Sequence, residues 1–420
     1  MELTRALVGA CANALAAQLT FERPADAVLR AWFRANPRLG ARDRAMIADT
    51  SFGVLRHLRR LETMAGRREP RALVLTALVV LFGRSVRSLG DVLKPGEAEW
   101  LAKGFRDAEA TLADAVRLSL PDWLHERLVA AHGPENAERI GRSLLETAPL
   151  DLRVNTLLAR REEVLVKLRE SGIEAAATRW SPWALRMRDK SSLERHSLVT
   201  SGFVEVQDEG SQLLAMLVEA KRGQMIVDFC AGAGGKTLAL GAAMRSEGRI
   251  YAFDTSDRRL ASFEPRLKRS GLSNVHPERI AHENDARVKR LTGKIDAVLV
   301  DAPCTGSGTL RRNPDLKWRM SPAAVDELVA KQSAILASAA RLPKPGGRLV
   351  YGTCSLLPEE NEGVVDRFIA AHPGWTLRSA PEILARQGVE SIGDGRYLKL
   401  LPHVHGTDGF FGAVLERPAA

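Results

Sequence analysis

Hydrophobic residues recur every three or four positions through the first third of the chain, which is the spacing of amphipathic helices. Leu7 and Cys11 share one such face, where the thiol is expected to be a core group, and Pro24 suits the first turn of the next helix. Residues 72–82 are apolar nearly all round, which predicts a central buried helix. We therefore predict a helical domain over residues 1–145.

Polar positions in the same region indicate where a third helix begins and which of its faces is basic. Asp43 can cap a third helix, and an arginine cluster at residues 56–60 would lie on its polar side. That cluster is compatible with either a solvated helix face or a contact to RNA. Further helices are expected near residues 96–104 and 121–131.

The hydrophobic pattern changes at residue 151. Residues 152–157 alternate as a strand does, and residues 162–171 have the pattern of a helix that ends at Gly172. Short strands are expected near 175–180, 184–188 and 203–207, so we predict a small α+β (ferredoxin- or RRM-like) domain over residues 146–222. Its basic residues could form either a phosphate-facing surface or an exposed, arginine-rich sheet face. They are Arg153, Arg160, Arg161, Lys167, Arg179, Arg186 and Arg188.

From residue 224 the pattern alternates between apolar runs and amphipathic stretches. This alternation predicts an α/β fold with a mainly parallel sheet that is covered on both faces, over residues 223–420. Strands are expected at residues 225–229, 249–253, 275–280, 297–300 and 348–351. Helices are expected at residues 237–244, 258–270 and 324–339.

Composition narrows the class of protein. The chain has 420 residues and a formal net charge of +10, which suits a polyanionic partner such as nucleic acid, although a basic proteome background is the alternative. Its four cysteines are widely spaced and lack histidine partners at zinc spacing, so we expect neither disulfides nor a metal site. We see no signal peptide and no apolar run of membrane-spanning length, so we expect a soluble, cytoplasmic protein without a membrane partner.

Two cysteines follow predicted strands. Residues 297–300 lead into Asp301 and Cys304, and residues 348–351 lead into Cys354. Because ligands bind at the carboxyl ends of the strands of an open α/β sheet, both thiols are expected at one crevice. A buried core thiol is the usual interpretation of a lone cysteine, but it is less favoured for two that both follow strands.

A glycine-rich stretch, residues 230–236, follows the first strand of the α/β region and opens a helix. Its spacing matches neither phosphate-binding fingerprint. Asp254, at the end of the next strand, suits the two hydroxyls of a ribose, and Asp285 could accept from an adenine amino group. Taken alone, each acid is more often a solvated loop residue. Together they favour an adenosine without phosphates, and S-adenosyl-L-methionine is the common cofactor of that description.

Two thiols beside such a cofactor suit methylation of cytosine at C5. That carbon becomes nucleophilic only after a thiolate has added to C6, so an accessible cysteine is required. Hydrogen bonding at the N3/N4 edge would stabilise the charge that develops, and Asp301 is the candidate. The C5 proton must then leave so that the thiolate can be eliminated, and a second thiol or polar group would assist.

These residues carry a family resemblance. Residues 301–315, which begin Asp-Ala-Pro-Cys-Thr-Gly-Ser-Gly, and residues 351–355, Tyr-Gly-Thr-Cys-Ser, resemble two motifs of the RNA 5-methylcytosine methyltransferases of the RsmB/Sun and Nop/NSUN group. The resemblance extends over residues 150–417 and includes further matches at 152–155, 206–211, 358–361 and 408–411.

The resemblance implies a Rossmann-like methyltransferase domain and a role for each site residue. Cys354 would attack C6 and Cys304 would assist release of the product, and the presence of both thiols favours RNA over DNA. Asp301 would contact the target base, and Lys236 would hold its carbonyl edge. The residues implied in S-adenosyl-L-methionine binding are Cys230, Ala231, Gly232, Ala233, Gly234, Gly235, Lys236, Asp254, Arg259, Asp285 and Asp301.

One departure from the family pattern matters. The usual Ala-Ala-Pro-Gly-Gly-Lys is here Ala-Gly-Ala-Gly-Gly-Lys, with Ala233 at the place of the proline. Because proline restricts the backbone, its absence is expected to loosen the loop.

The helical region resembles the NusB-like RNA-binding domain of the bacterial RsmB type. This favours small-subunit (16S) ribosomal RNA as the substrate, with transfer or messenger RNA as the alternative. A second alternative is an RNA-binding or ribosome-assembly protein that no longer turns over. We expect a monomer.

Overall fold

The computed structural model describes residues 3–102, 112–189, 193, 195–393 and 395–419. The chain divides into two compact units. The first contains Met1–Thr147 together with Thr309–Pro322, and the second contains Ala148–Gly308 and Ala323–Ala420. The chain thus leaves the second unit directly after Gly308, four residues beyond Cys304, and returns to it at Ala323.

The first unit is helical, as its hydrophobic spacing predicts. Residues 72–78 of the fifth helix are all buried, and Cys11 lies 2% exposed in the same apolar core. The helix expected near residue 96 spans Glu97–Ala102, and the rest of that prediction lies outside the described residues. The helices are Arg5–Gln18, Ala25–Ala35, Ala41–Arg56, Leu58–Ala65, Pro70–Val80, Glu97–Ala102, Asp114–Arg117, Asp122–His132, Pro134–Leu144 and Leu316–Arg319, with a 3₁₀ helix at Arg87–Val92.

One prediction at a polar position of this unit is wrong, and another does not hold for one of its arginines. Gly40 is the N-cap of the third helix, so Asp43 lies inside its first turn rather than at the cap. Arg56 is 8% exposed and donates a hydrogen bond to the carbonyl of Arg311 (3.0 Å), so it belongs neither to a solvated face nor to a surface for RNA. The guanidinium instead helps to hold the segment Thr309–Pro322.

That segment has further buried contacts with the helices of its unit. Lys317 donates from Nζ to the carbonyl of Arg56 (2.8 Å), and Trp318 donates from Nε1 to the carbonyl of Leu55 (3.0 Å). Burial lowers the pKa of Lys317 well below its ordinary value, and the charge of Arg56 lowers it further. The segment is therefore an integral part of the helical unit.

The second unit begins with a four-stranded antiparallel sheet of order β2-β3-β1-β4. Its strands are β1 (Asp151–Val154), β2 (Ala175–Ala177), β3 (Ala184–Met187) and β4 (Val204–Val206), as the alternation predicts. Its helices are Arg161–Glu170 and Ser197–Thr200, and Glu209–Met216 follows β4.

One of the arginines considered for phosphate contact is buried, and a second is held by an ion pair. Arg153 is 2% exposed, so neither of the two interpretations of this arginine-rich surface applies to it. Arg186 is partly exposed, and its guanidinium pairs with the fully buried carboxylate of Asp151 (2.7 Å).

The larger sheet has eight strands, in the order β10-β12-β9-β8-β5-β6-β7, with β11 paired to β12. Strands β5 (Met225–Asp228), β6 (Arg249–Asp254), β7 (Val275–Arg279), β8 (Ile295–Asp301) and β9 (Pro343–Thr353) run parallel. The accompanying helices are Gly235–Ala243, Asp257–Ser270, Ala286–Lys289, Pro322–Ala339 and Glu362–Ala371, with a 3₁₀ turn at Ser307–Thr309.

Both faces of this sheet are buried. Along β8, Ala297 and Leu299 belong to one hydrophobic cluster, whereas Val298 and Val300 belong to another. Because successive side chains of a strand point to opposite faces, and both faces are covered here, residues 297–300 of β8 are all apolar. The continuous apolar run before Asp301 has this origin.

The edge beyond β9 is antiparallel, and no strand was predicted there. β12 (Phe410–Glu416) pairs with β9, and β10 (Thr376–Arg378) and β11 (Leu398–Leu400) pair with β12. Short helices at Ala380–Ala385 and Pro402–His405 connect these strands. The fold is thus α/β with a mainly parallel sheet, as predicted, and it has an antiparallel border.

Candidate active site

A cavity of about 710 Å³ lies at the carboxyl ends of the parallel strands of the second unit. Strands β5, β6 and β8 end in Asp228, Asp254 and Asp301, and all three acids line it. Cys304 and Cys354, from the loops after β8 and β9, line it as well. The structure therefore brings the residues after four strands into one crevice, as expected for an open α/β sheet.

The glycine-rich loop forms one wall of the cavity. The amide of Gly232 donates to Asp254 Oδ2 (2.8 Å), which links the loop after β5 to the end of β6. Gly234 has a φ of 79°, and a Cβ there would lie 2.0 Å from the ring of Phe263. Only glycine is compatible with both the left-handed backbone and this close approach.

Two arginines hold the carbonyl groups of this loop. Arg266 donates from Nη1 to the carbonyl of Ala233 (2.5 Å), at the position where the family has proline. Arg153 donates to the carbonyl of Gly235 and to Oε1 of Gln207 (2.6 Å), which itself lines the cavity. The loop therefore has hydrogen-bonded support that the sequence did not reveal. Whether it is loosened by the missing proline stays a prediction.

A buried carboxylate, Glu205 of β4, anchors this support. It pairs with Arg266 (2.9 Å) and with Arg269 (2.6 Å), and its side chain is 5% exposed. The antiparallel sheet is thus connected through Glu205 and Arg266 to the glycine-rich loop. Sequence patterns did not point to Arg266 or Glu205, because neither lies in a motif.

Asp228 also lines the cavity and, like Arg266, was not predicted as a site residue. Burial raises its pKa to about 7, and the hydrogen bond from Thr237 Oγ1 (2.7 Å) lowers it only in part. Within the described residues its other oxygen, Oδ1, is buried without a hydrogen-bond partner. Its position at the end of β5, just before the glycine-rich loop, was the available signal.

Lys236 and Asp301 form an ion pair across the cavity, with 2.6 Å between Nζ and Oδ2. Burial alone lowers the pKa of Lys236, but the charge of Asp301 and the hydrogen bond to it outweigh burial and leave the pKa raised. The ammonium is therefore charged at neutral pH. It presents a fixed positive charge beside the cavity.

The two thiols lie against each other, with 3.3 Å between Cys304 Sγ and Cys354 Sγ, and both cysteines are free. The hydrogen bond with Cys354 raises the pKa of Cys304 well above its ordinary value, and burial raises it further. Cys304 is thus held in the protonated form, which can donate to the neighbouring sulfur. Cys230 also lines the cavity, and burial raises its pKa strongly.

Two further residues predicted to bind the cofactor, Arg259 and Asp285, differ in whether they line the cavity. Arg259 lines the cavity, with Nη1 3.8 Å from Asp254 Oδ2. Asp285 does not belong to the described lining; its carboxylate caps a short helix by accepting from the amides of Ala281 (2.9 Å) and Arg287 (2.9 Å). The neighbouring Glu283 lines the cavity.

The structure contains no metal-binding cluster of three or more histidine, cysteine, aspartate or glutamate side chains in the part of the chain that it describes. In that same part, none of the helices combines the length and apolarity needed to cross a membrane.

Comparison with known proteins adds the family. The family model described as 16S rRNA methyltransferase RsmB/F matches residues 215–416, and a model for the ferredoxin-like domain of RsmF/B-like methyltransferases matches residues 120–194. The probable ribosomal RNA small subunit methyltransferase B of Synechocystis sp. is 36% identical over 325 residues, which cover 76% of this chain and 71% of that protein.

A second relative spans almost the whole chain. Ribosomal RNA small subunit methyltransferase B of Pseudomonas syringae is 31% identical over 450 residues, covering 98% of this chain and 97% of that protein. The crystal structure of PH0851 has a TM-score of 0.79 and 27% identity, and covers 99% of this chain and 100% of that one. These matches confirm the resemblance carried by the two cysteine motifs. The chain belongs to the RsmB/F family of 16S rRNA methyltransferases.

Proposed function

We propose that this protein transfers a methyl group from S-adenosyl-L-methionine to C5 of a cytidine in small-subunit ribosomal RNA, through a covalent bond between Cys354 and C6. The observation that carries the proposal is the pair of thiols, 3.3 Å apart, in a cavity that also holds the Lys236–Asp301 ion pair. C5 methylation requires one thiol to attack, and a second proton-bearing thiol beside it can assist its departure.

The cavity suits S-adenosyl-L-methionine. Asp254 and Arg259 would face its ribose, and the glycine-rich loop would lie alongside the cofactor. Asp228 Oδ1, which has no hydrogen-bond partner within the described residues, can accept a hydrogen bond from a cationic or amino group. When bound, this cofactor supplies an electrophilic methyl group. Because Asp285 already caps a helix, we do not assign it to the adenine.

The reaction begins with Cys354. Its thiolate adds to C6 of the cytosine, and the electrons of the C5–C6 double bond move so that C5 becomes nucleophilic. The negative charge that develops toward N3 and O2 lies where the Lys236 ammonium can stabilise it, while Asp301 accepts from the N4 amino group. The ion pair therefore both orients the base and stabilises the adduct.

The second half of the reaction involves Cys304. Once C5 carries the methyl group, its proton passes to a base or to solvent water. The electrons of the C5–H bond then restore the C5–C6 double bond, while the bond between Cys354 and C6 breaks and its electrons leave with the thiolate. The protonated Cys304 thiol, held at the Cys354 sulfur, donates a hydrogen bond to the departing sulfur. Loss of Cys304 should thus slow release rather than attack.

The RNA must present an unstacked cytidine, because the face of C6 is covered within a helix. The net charge of +10 is expected to make binding sensitive to salt. Relatives named as small subunit ribosomal RNA methyltransferases support ribosomal RNA as the substrate. Transfer RNA is the alternative that the experiment must separate.

The test uses purified protein, a tritiated methyl donor and unmodified small-subunit RNA or transfer RNA. We expect the wild type to label C5 of one cytidine in small-subunit RNA, Cys354→Ala to be inactive, and Cys304→Ala to accumulate a covalent protein–RNA adduct. The reverse behaviour of the two variants would exchange the roles of the thiols. Labelling of transfer RNA alone would contradict the proposed substrate, and labelling of neither RNA would contradict the proposal as a whole.

A further inference from the structure

A fully buried carboxylate joins the two loops that carry the thiols. Glu360 has 0% exposure, and its Oε1 accepts from the amide of Thr305 (2.9 Å) and from Gln332 Nε2 (2.9 Å). Its Oε2 accepts from the hydroxyls of Thr305 (2.6 Å) and Ser355. Thr305 and Ser355 directly follow Cys304 and Cys354, so one side chain holds the residue next to each thiol.

The contacts between the two loops are not limited to this carboxylate. The amide of Gly308 donates to the carbonyl of Cys354 (2.9 Å), and Ser307 Oγ accepts from the amide of Leu356 (2.8 Å). The loops therefore form one hydrogen-bonded body around Glu360. The separation of 3.3 Å between the sulfur atoms is a property of that body.

The four donors to Glu360 are a backbone amide, a side-chain amide and two hydroxyls, all uncharged. Neutral donors stabilise a carboxylate without cancelling its charge, and a charge buried in a low-dielectric interior acts strongly on its neighbours. Two of these four donors belong to Thr305, the residue that follows Cys304, whereas one belongs to Ser355, the residue that follows Cys354. A negative charge on Glu360 opposes the ionisation of Cys304, and Glu360 is among the groups that raise the pKa of that thiol.

We propose that Glu360 is a positioning residue that gives the two thiols different roles: it joins their loops and keeps Cys304 as the proton-bearing partner, so that Cys354 alone is the nucleophile. Its consequence for methylation rests on the proposed function, whereas its effect on the reactivity of the two thiols does not. No sequence pattern assigns Glu360 this role, because its partners come from three separate parts of the chain.

The experiment measures alkylation of the full-length protein by iodoacetamide, with each cysteine quantified by peptide mass spectrometry between pH 6 and 10. In the wild type we expect Cys354 to react first and Cys304 to react only at the alkaline end. Glu360→Gln keeps the side-chain shape and removes the charge, so Cys304 should react at least about tenfold faster at pH 8, the change that corresponds to one pKa unit. Its pH midpoint should fall accordingly.

Glu359→Gln is the matched control, since it removes a charge one residue away and leaves the carboxylate of Glu360 in place. Its alkylation profile should equal that of the wild type. An unchanged Cys304 profile in a folded Glu360→Gln protein would overturn the proposal. If Glu360→Gln does not fold, the alkylation profile of the wild type still tests the proposal. Reaction of Cys304 at a lower pH than Cys354 would contradict the assigned roles of the two thiols.

Methylation assays separate this inference from the proposed function. With RNA as substrate, Glu360→Gln should lower kcat by at least about tenfold, while KM for RNA stays within about twofold, because the variant changes the thiols and not the binding surface. A wild type that methylates no RNA would defeat the proposed function and leave the alkylation result standing. Normal methylation by Glu360→Gln would defeat the inference alone.

Discussion

The loops that carry the thiols and the glycine-rich loop border the same cavity, but they are held in opposite ways. Glu360, a buried acceptor, gathers amide and hydroxyl donors from the two thiol loops. Arg153 and Arg266, which are donors, reach the carbonyls of the glycine-rich loop from outside it, and Glu205 neutralises Arg266. The hydrogen-bond donors described for Glu360 are all uncharged, whereas Glu205 is paired with two arginines, Arg266 and Arg269.

This difference separates two tasks. Beside the thiols, charge sets which sulfur keeps its proton, so changes there should alter chemistry more than stability. Around the glycine-rich loop, paired charges fix the backbone, so changes there should alter stability and cofactor binding. The variants described next test that division, beginning with the largest expected effect.

Glu205→Gln breaks the support of the glycine-rich loop at its anchor. It leaves Arg266 and Arg269 without their carboxylate in a largely buried place, and breaking a buried ion pair typically costs about 3–5 kcal/mol. We expect a free energy of unfolding lower by about that amount in urea titrations. The control is Glu174→Gln, whose pair with Arg188 is exposed and should leave the urea midpoint unchanged.

Lys236→Met tests the thiol side of the cavity. The variant removes the ammonium that we propose to stabilise the adduct, and it breaks the ion pair with Asp301. Loss of one such electrostatic group commonly lowers kcat by about 10²–10³-fold, and we expect that range in single-turnover methylation. Lys289→Met, on the exposed short helix, should methylate like the wild type; a similar loss there would contradict the assignment.

Asp228→Asn addresses the pH dependence of stability. Because burial raises the pKa of Asp228 to about 7, the folded state keeps its proton while the unfolded state loses it from about pH 4 upward. This carboxyl therefore stabilises the fold less as pH rises from about 4 to 7, with no further change above that range. Urea midpoints across this range should fall less steeply in Asp228→Asn than in the wild type; parallel slopes would argue against a raised pKa.

The smallest effect is expected at Ala233. If the hydrogen bond from Arg266 replaces the rigidity of the family's proline, Ala233→Pro alone should change KM for S-adenosyl-L-methionine by less than about twofold. Arg266→Met should raise KM more in the Ala233 background than in the Ala233→Pro background. Equal increases in the two backgrounds would show that the two positions act independently.

The sequence predicted which candidate catalytic residues line the cavity better than it predicted the residues that support them. Asp301, Cys304 and Cys354 follow β-branched apolar runs, so their place at a sheet edge follows from local pattern. Glu360 lies in the motif at residues 358–361, but the motif alone does not show its contacts to Thr305 and Gln332, and no local pattern marks Arg266. These contacts are a tertiary property.

The errors have the same origin. Arg56 and Arg153 were considered for the surface because arginine is usually exposed, yet each donates to a distant backbone carbonyl. The antiparallel strands β10–β12 were missed, although Phe410 and Phe411 belong to a recognised motif, because no helical alternation marks that edge. Asp285 was expected at the cofactor; its carboxylate accepts from amides four residues before it and two after it, and its contact with the adenine stays a prediction.

The central claim is that Cys354 forms the bond to C6 while Cys304 carries the proton. RNA with 5-fluorocytidine at the target position tests this most directly. Its C5 carries fluorine in place of the hydrogen that must be removed as a proton, so the enzyme cannot eliminate the methylated base and the covalent adduct persists. We predict a methylated protein–RNA adduct, stable to denaturation, whose cross-linked peptide contains Cys354. An adduct through Cys304, or methylation with no adduct, would contradict the account.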